Sequence, residues 1–348
     1  MHSLAPKALE RLQLSLNDGH LLEQLGVHQG REELQQSRRP DVLSTLRSQA
    51  TVESVESSNR IEGIVTSRER VLAVVRDRVE PTDRSENELA GYRDALHLIH
   101  ESADGMPVSV NVLLQLHQIL YQWMPAQGGR FKQVNNEIIE RDPGGSTLRV
   151  RFVPTSAVET PGAMRELVRR YEQAVATQSP QPLVLIPLVI LDFLCIHPFS
   201  DGNGRISRLL TLLLLFRHGY GVGRFISLER IVEESRETYY EVLERSSQRW
   251  HEAEHDPLPW MRYFWGVLLK AYREFEATLS AQPQARGAKA QLVRHAVQQQ
   301  LGEFTLAQIA QTCSGVSRPT IRRVLREMRD EGLVESLGRG PGARWRRI

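Results

Sequence analysis

The sequence has little of several features that would define a class of protein. It holds 2 cysteines in 348 residues, Cys195 and Cys313, far apart and both in apolar surroundings. Two such residues exclude a disulfide-rich secreted scaffold and indicate reduced core side chains, which favours a cytoplasmic protein. The longest apolar run, residues 183–196, is interrupted by Pro187 and Asp192 and is too short to cross a bilayer. The first residues lack a basic and apolar leader, so we expect neither a signal peptide nor a membrane partner.

The formal net charge is also small, +2 at pH 7, but it is unevenly distributed. Residues 286–348 carry 12 Lys or Arg against 5 Asp or Glu, a net of +7, which leaves −5 for the rest of the chain. Residues 280–287 lack large apolar side chains and are typical of a linker. The length and this composition predict a large domain followed by a small basic one.

Helical periodicity dominates the large part, so the predicted fold class is mainly α. Apolar residues recur at spacings of three and four in eight segments: 55–64, 71–79, 86–100, 110–121, 165–177, 183–196, 205–218 and 236–248. Residues 132–154 differ, because two β-branched runs flank Asp142-Pro-Gly-Gly-Ser. That pattern predicts a β-hairpin.

One stretch of twelve residues carries most of the candidate chemistry: His197-Pro-Phe-Ser-Asp-Gly-Asn-Gly-Arg205-Ile-Ser-Arg208. It lies between two apolar runs, which predicts a polar loop that leads into the first turn of a buried helix. A helix N-terminus has unpaired N–H groups and a positive dipole end, and glycines let it come close to a phosphate. Taken singly, such residues are more often structural, and a Gly-Asn-Gly segment is usually a turn.

The side chains of this stretch suit the handling of a polyphosphate. Arg205 and Arg208, three residues apart at the start of the helix, can clamp phosphates. Asp201 can hold a magnesium ion that bridges the same phosphates. His197, at the loop entrance, can accept a proton from a hydroxyl. Together these residues predict a phosphate-handling active site.

The same twelve residues resemble, without a gap, the signature of the Fic (filamentation induced by cAMP) family, His-Pro-Phe-x-(Asp/Glu)-Gly-Asn-Gly-Arg-x-x-Arg. Gly129-Arg-Phe-Lys132, before the hairpin, is also similar to that family. The resemblance implies a Fic-type helical bundle in which the hairpin forms a flap that holds the target by strand-like pairing. It also implies a protein adenylyltransferase (AMPylation), which transfers AMP from ATP to a Ser, Thr or Tyr hydroxyl of a protein target or of itself.

The resemblance further implies a role for each residue of the motif. His197 would be the general base, Phe199 an apolar anchor, and Asp201 the ligand of Mg²⁺ or Mn²⁺. The anion hole and the phosphate contacts would come from five residues: Gly202, Asn203, Gly204, Arg205 and Arg208. In Arg236-Glu-Thr-Tyr239-Tyr240, the two tyrosines would line the adenine pocket, although aromatic residues at this spacing are as often part of a core.

A second pattern, Ser58-Asn-Arg-Ile-Glu62-Gly63, resembles the inhibitory helix of the family, here at about residues 50–64. Ser58 and Glu62 share a helix face, and Gly63 lets the helix end approach another backbone. The resemblance implies that Glu62 pairs with Arg208 and keeps that arginine from the γ-phosphate. In some relatives the same glutamate helps to remove AMP, so de-AMPylation stays open. A short pattern of this kind also arises by chance, with Glu62 as a solvated charge.

The basic tail resembles a winged helix-turn-helix domain. Thr305 and Ser317 would cap two helices, residues 319–331 would form the recognition helix, and Gly338-Arg-Gly-Pro-Gly the turn of the wing. Five arginines are candidates for DNA contacts: Arg318, Arg322, Arg323, Arg326 and Arg329. Many winged helices dock proteins instead.

These patterns predict an N-terminal helical region (1–100) with the inhibitory helix, a Fic catalytic core (101–280) and a winged helix-turn-helix domain (286–348). We also expect the protein to form a homo-oligomer, namely a homodimer. The alternative function is a DNA-binding transcription regulator that uses the Fic fold as a nucleotide-sensing module.

Overall fold

The structure is a computed structural model that describes residues 2–36, 39–124, 128–141, 147–281, 288–298, 300, 302–313, 316–338 and 343–347. Within these ranges it contains 15 α-helices and five short strands. The prediction of a mainly α fold with a hairpin is therefore confirmed. None of the helices described has both the length and the hydropathy to cross a membrane.

The chain divides into two compact units. The first comprises Met1–Glu33 and Asp41–Ala277, and the second comprises Leu34–Pro40 and Thr278–Ile348. The functional division predicted for residues 1–100, 101–280 and 286–348 stays a prediction.

The helices up to residue 281 follow one another with few strands between them. In chain order they are α1 (Pro6–Arg11), α2 (Leu16–Gln36), α3 (Pro40–Ile61), α4 (Arg68–Val75), α5 (Arg84–Ser102), α6 (Val110–Leu120), α7 (Thr160–Thr177), α8 (Pro182–Ile196), α9 (Asn203–Arg217), α10 (Leu228–Glu234), α11 (Arg236–Ser247) and α12 (Leu258–Ala281).

Helices α8 and α9 form the centre of the first unit. Gln181 caps α8 with its side chain, Pro182 occupies the first turn, and nearly every residue of the helix is buried. A helix that is apolar on all sides must have neighbours all round. Accordingly α8 packs against α7, α9 and α11, while α9 packs against α5 and α6. The predicted buried helix, polar loop and buried helix are present, with the loop at residues 197–202.

The hairpin consists of β1 (Ile138–Arg141) and β2 (Thr147–Phe152), which pair antiparallel with a bulge between Ile138 and Ile139. The predicted turn residues 142–146 lie outside the described residues. Strand β2 also packs against α11. This hairpin is called the flap below.

The second unit contains α13 (Ala288–Gln298), β3 (Phe304–Thr305), α14 (Leu306–Thr312), α15 (Arg318–Asp330), β4 (Val334–Ser336) and β5 (Arg344–Arg347). The strands form a sheet of order β3-β5-β4, and a core that includes Val297, Ile309 and Leu325 lies under it. Thr305 and Ser317 cap α14 and α15. Most of the expected wing turn, residues 339–342, lies outside the described residues. The winged helix-turn-helix assignment therefore stays a prediction.

Candidate active site

His197 ends α8 in the left-handed conformation, with φ 51° and ψ 61°. Its Nδ1 lies 3.3 Å from the Leu194 carbonyl, which requires the proton on Nδ1 and leaves Nε2 as the acceptor. Burial of the ring lowers the pKa of His197 to about 4, and the positive charge of Lys132 acts in the same direction. At neutral pH the imidazole is therefore uncharged and able to take a proton.

The loop after His197 is fixed from inside by Asn203. Its Oδ1 accepts from the Phe199 N–H at 2.9 Å, and its Nδ2 donates to the Phe199 carbonyl at 2.8 Å. The ring of Phe199 is fully buried and stacks on His117 with centroids 3.8 Å apart. The amide atoms of Asn203 thus hold the loop, which leaves its backbone N–H, in the first turn of α9, for the anion contact predicted from the sequence.

His117 supports the same loop from α6 and does not act as a second base. Its Nδ1 accepts from the Gly129 N–H at 3.1 Å, so its Nε2 carries the proton that faces the Asp201 carbonyl, also at 3.1 Å. Both ring nitrogens are therefore in use. Burial lowers the pKa of His117 to about 4, in agreement with a neutral ring.

Asp201 presents a carboxylate to solvent at the start of α9. Its side chain is 66% exposed, with Oδ1 accepting from the Gly202 N–H at 2.7 Å. Among the residues described, no group of three His, Cys, Asp or Glu is placed to hold a metal ion by itself. One exposed carboxylate beside an anion site does fit Mg²⁺, which commonly binds through one or two carboxylates together with substrate phosphates.

Glycine is required at the two positions of the motif for different reasons. Gly202 caps α9 with φ 80°, and a Cβ there would lie 2.9 Å from the Tyr121 hydroxyl. At Gly204, a Cβ would lie 2.2 Å from Oε1 of Glu62. A carboxylate oxygen therefore rests on the backbone of the first turn of α9, where N–H groups without intrahelical partners favour an anion.

Arg205 points into the protein. Its guanidinium is 1% exposed and donates to Glu88 Oε2 at 2.6 Å and to the Tyr121 hydroxyl at 3.0 Å. The sequence predicts a phosphate contact for Arg205, and that role stays a prediction. Sequence reasoning missed Glu88, which lies on α5, and Tyr121, which directly follows α6.

Arg208 contacts the segment that carries the second sequence pattern, Ser58 to Gly63. Its Nε donates to the Ser58 hydroxyl at 2.8 Å, and its Nη2 donates to the Ser58 carbonyl at 2.9 Å and to Glu62 Oε1 at 2.7 Å. Glu62 and Gly63 directly follow α3, and Gly63 has φ 83°. The structure thus brings together Ser58, Glu62 and Arg208 from positions about 150 residues apart.

The two tyrosines of α11 differ in their surroundings. Tyr239 is buried against Trp260 and Tyr263 and lines an apolar cavity that Arg208 also borders. Tyr240 is half-buried, and the guanidiniums of Arg151 and Arg236 lie 5.7 and 5.8 Å from its ring centroid. The predicted adenine contacts of both residues stay predictions.

Comparisons with known proteins agree with this geometry. Residues 107–215 match the family model described as Fic/DOC family. A protein adenylyltransferase Fic from Drosophila ananassae is 31% identical over 139 residues, which are 38% of this chain and 25% of that protein. A second such protein, from Drosophila grimshawi, is 27% identical over 186 residues, 51% of this chain and 35% of its own length. The aligned part thus spans about a third or less of these curated relatives.

Solved structures show the same fold. A Fic family protein from Desulfovibrio desulfuricans has a TM-score of 0.62 at 24% identity, over 97% of each chain. A Fic domain containing signaling protein from Bacteroides thetaiotaomicron has a TM-score of 0.63 at 20% identity, over 76% of this chain and 98% of that one. The fold and the motif loop define a Fic-type helical domain. Residues 107–215 of the chain are accordingly assigned to a Fic domain.

Proposed function

We propose that this Fic-domain protein is a protein adenylyltransferase that transfers AMP from ATP to a Ser, Thr or Tyr hydroxyl of a target protein or of itself. The observation that supports it most is the uncharged His197, whose free Nε2 lies beside a helix N-terminus that favours anions. The names of the curated relatives supply the identity of the transferred group.

In this mechanism the target hydroxyl oxygen attacks the α-phosphorus of ATP and pyrophosphate leaves. Nε2 of His197 takes the hydroxyl proton. The first-turn N–H groups of α9 bind the phosphate oxygens, and Arg208 contacts the γ-phosphate once it is released from Glu62. Asp201 would hold Mg²⁺ or Mn²⁺, which supplies charge neutralisation for the phosphates when bound.

Glu62 would inhibit this reaction by occupying the place of a phosphate. Its carboxylate rests on Gly204 and is bonded to Arg208, so an incoming γ-phosphate meets a negative charge and lacks its cation. Like-charge contact and competition for one guanidinium act together. A water held by Glu62 would also allow de-AMPylation, in which that water attacks the phosphorus of a modified side chain and AMP and the free hydroxyl are released.

The experiment is incubation with ATP labelled at the α-phosphate, followed by measurement of label on protein. We expect Glu62→Gln and Glu62→Gly to raise incorporation at least ~10-fold, equivalent to about 1.4 kcal/mol at the transition state. Glu53→Gln is the matched control, because Glu53 lies on α3, which Glu62 directly follows, but pairs with Arg230. Adding His197→Ala to either Glu62 variant should abolish the label. Incorporation that is unchanged by Glu62→Gly, or that survives loss of His197, would contradict the proposal.

The second candidate function is that of a DNA-binding transcription regulator in which the Fic domain senses nucleotides. One observation supports it. Arg318, Arg322 and Arg326 follow one another at four-residue spacing on α15 and are exposed. They have no ion-pair partner among the described residues, whereas Arg323 pairs with Glu327 and Arg329 with Asp330. A stripe of unpaired guanidiniums suits a phosphate backbone.

Filter binding to duplex DNA across a salt series tests this candidate. We expect the triple variant R318Q/R322Q/R326Q to reduce the slope of log affinity against log salt by about 3, near 0.9 for each lost phosphate contact. The double variant R323Q/R329Q, which removes paired arginines of the same helix, is the control and should leave the slope nearly unchanged. An equal decrease of the slope in both variants would indicate that the total positive charge of the helix, and not the three unpaired arginines, binds DNA. The expected homodimer is a separate proposal, which light scattering measures directly.

A further inference from the structure

Lys132 lies in the interior next to the motif loop. Its side chain is 2% exposed, although it precedes the flap by only a few residues. The Nζ donates to the Ile196 carbonyl at 3.2 Å and to Asn136 Oδ1 at 2.8 Å. The backbone N–H of the same residue donates to the Pro198 carbonyl at 2.9 Å. One residue therefore holds the carbonyl groups on both sides of His197.

Asn136 extends this contact by one residue. While its Oδ1 accepts from Lys132, its Nδ2 donates to the Phe199 carbonyl at 3.1 Å. Three carbonyl groups around His197 are thus bonded to a single short segment. His197 needs such support, because a non-glycine residue in the left-handed region costs roughly 1–2 kcal/mol.

The Lys132 ammonium is also a charged group in the protein interior, where lysine is rarely found. The described residues provide no ion pair for it, and its acceptors are a neutral amide and the last carbonyl of α8. The C-terminal end of a helix favours a cation. Burial lowers the pKa of Lys132 to about 8, so the group is mostly charged at neutral pH.

We propose that Lys132 is a positioning residue for His197, which fixes the backbone on both sides of the imidazole and places a buried positive charge beside it. This inference rests on the proposed role of His197 as proton acceptor. The charged groups that act on the imidazole are Lys132, Glu62 from the turn after α3 and Asp201 from the loop. The two carboxylates favour a protonated ring, and Lys132 opposes them. It thereby helps to keep Nε2 free.

Three substitutions separate the two parts of this role. Lys132→Gln removes the charge and keeps a hydrogen-bond donor, Lys132→Met removes both, and Lys132→Arg keeps both. Lys270→Met is the control, since Lys270 is exposed and pairs with Glu234. The first measurement is NMR titration of labelled histidine in the whole protein, with the His197 signal assigned by its loss in His197→Gln.

We expect the pKa of His197 to rise by at least about half a unit in Lys132→Gln and in Lys132→Met, because a neighbouring cation is lost. It should stay within error in Lys132→Arg and Lys270→Met. This titration needs no catalytic activity, so its result is independent of whether AMP transfer occurs. A His197 titration that is the same in folded Lys132→Gln as in the unmodified protein would overturn the inference.

The second measurement separates kcat from KM in the Glu62→Gly background. We expect Lys132→Met to lower kcat at least ~10-fold with little change in the KM for ATP, because the phosphates are held by other residues. Lys132→Arg should restore most of kcat. A raised KM with unchanged kcat would overturn the role of Lys132. Absence of AMP transfer from Glu62→Gly itself would contradict the proposed function instead and would leave the titration as the deciding result.

Discussion

At the scale of single residues, the buried ion pair between Arg205 and Glu88 holds the first turn of α9 against α5. Both side chains are buried, at 1% and 6% exposure, and Glu88 Oε1 also accepts from Arg84. Such a pair is costly to bring out of water, but removal of one partner leaves a buried charge without compensation.

Glu88→Ala should therefore lower the free energy of unfolding by about 3 kcal/mol. The matched control is Glu101→Ala, since Glu101 lies on the same helix, is 65% exposed and pairs with the exposed His97. We expect that control to change stability by less than about 0.5 kcal/mol. Urea unfolding followed by circular dichroism measures both, and equal effects would contradict a buried pair.

The motif residues could be predicted from the sequence because they act within twelve consecutive positions. Their partners could not. Glu88 and Arg205 are 117 positions apart, and Lys132 and Ile196 are 64 apart. Contacts over such separations leave no periodicity, and a buried lysine has no signature that distinguishes it from an exposed one. The link from Glu62 to Arg208 was predictable only through the family resemblance.

At the scale of elements, the flap is attached to α11 by charge. Arg149 and Arg151 alternate with Leu148 and Val150 along β2, so both arginines lie on one face of the strand. Both donate to the carboxylate of Glu244, with Arg151 Nη2 at 2.7 Å. The opposite face keeps Leu148 and Val150 exposed.

Glu244→Ala should loosen the flap without unfolding the helices. We expect amide exchange at Ile139 and Val150 to become about fivefold faster, equivalent to about 1 kcal/mol for the lost ion-pair network. Glu241→Ala on the same helix, at an exposed position, is the control. Hydrogen exchange measured by mass spectrometry provides the comparison. Unchanged exchange in Glu244→Ala would show that other contacts hold the flap.

The elements themselves were predictable where one periodicity dominates. The expected helices at 183–196 and 236–248 correspond to α8 and α11 within one residue at each end. Helix α3 begins at Pro40, ten residues before the expected start, and Leu43, Leu46 and Ala50 in this extra part recur at helical spacing and are buried. The expected start was therefore too late, since this stripe extends the helical periodicity toward Pro40.

For the whole molecule, buried histidines set the response to acid. Burial lowers the pKa of His100 to about 3 and those of His2 and His197 to about 4. Their ordinary value in the unfolded chain is near 6.5, so the unfolded state binds more protons below that pH. Stability is therefore full above about pH 6.5 and falls as the pH decreases toward 4.

Between pH 6 and 4.5 the free energy of unfolding should decrease by at least about 2.5 kcal/mol per pH unit, since one such group gives about 1.4. His100→Phe should reduce this slope by about 1.4, because the buried Nε2 of His100 has no hydrogen-bond partner among the described residues and the ring packs against Phe216. His20→Gln, at an exposed position, is the control. Urea titrations at several pH values measure the slope. A slope that is the same in His100→Phe as in the unmodified protein would refute this account.

The carboxylate on Arg208 belongs to the same polypeptide as the guanidinium it occupies, 146 positions away. A tethered partner has a local concentration that is fixed by the fold and that dilution does not reduce. Under the proposed function, we therefore expect the same catalytic rate per molecule at low and at high protein concentration, unlike that of an enzyme inhibited by a dissociable subunit. Under the same proposal, displacement of Glu62 from Arg208 would raise that rate.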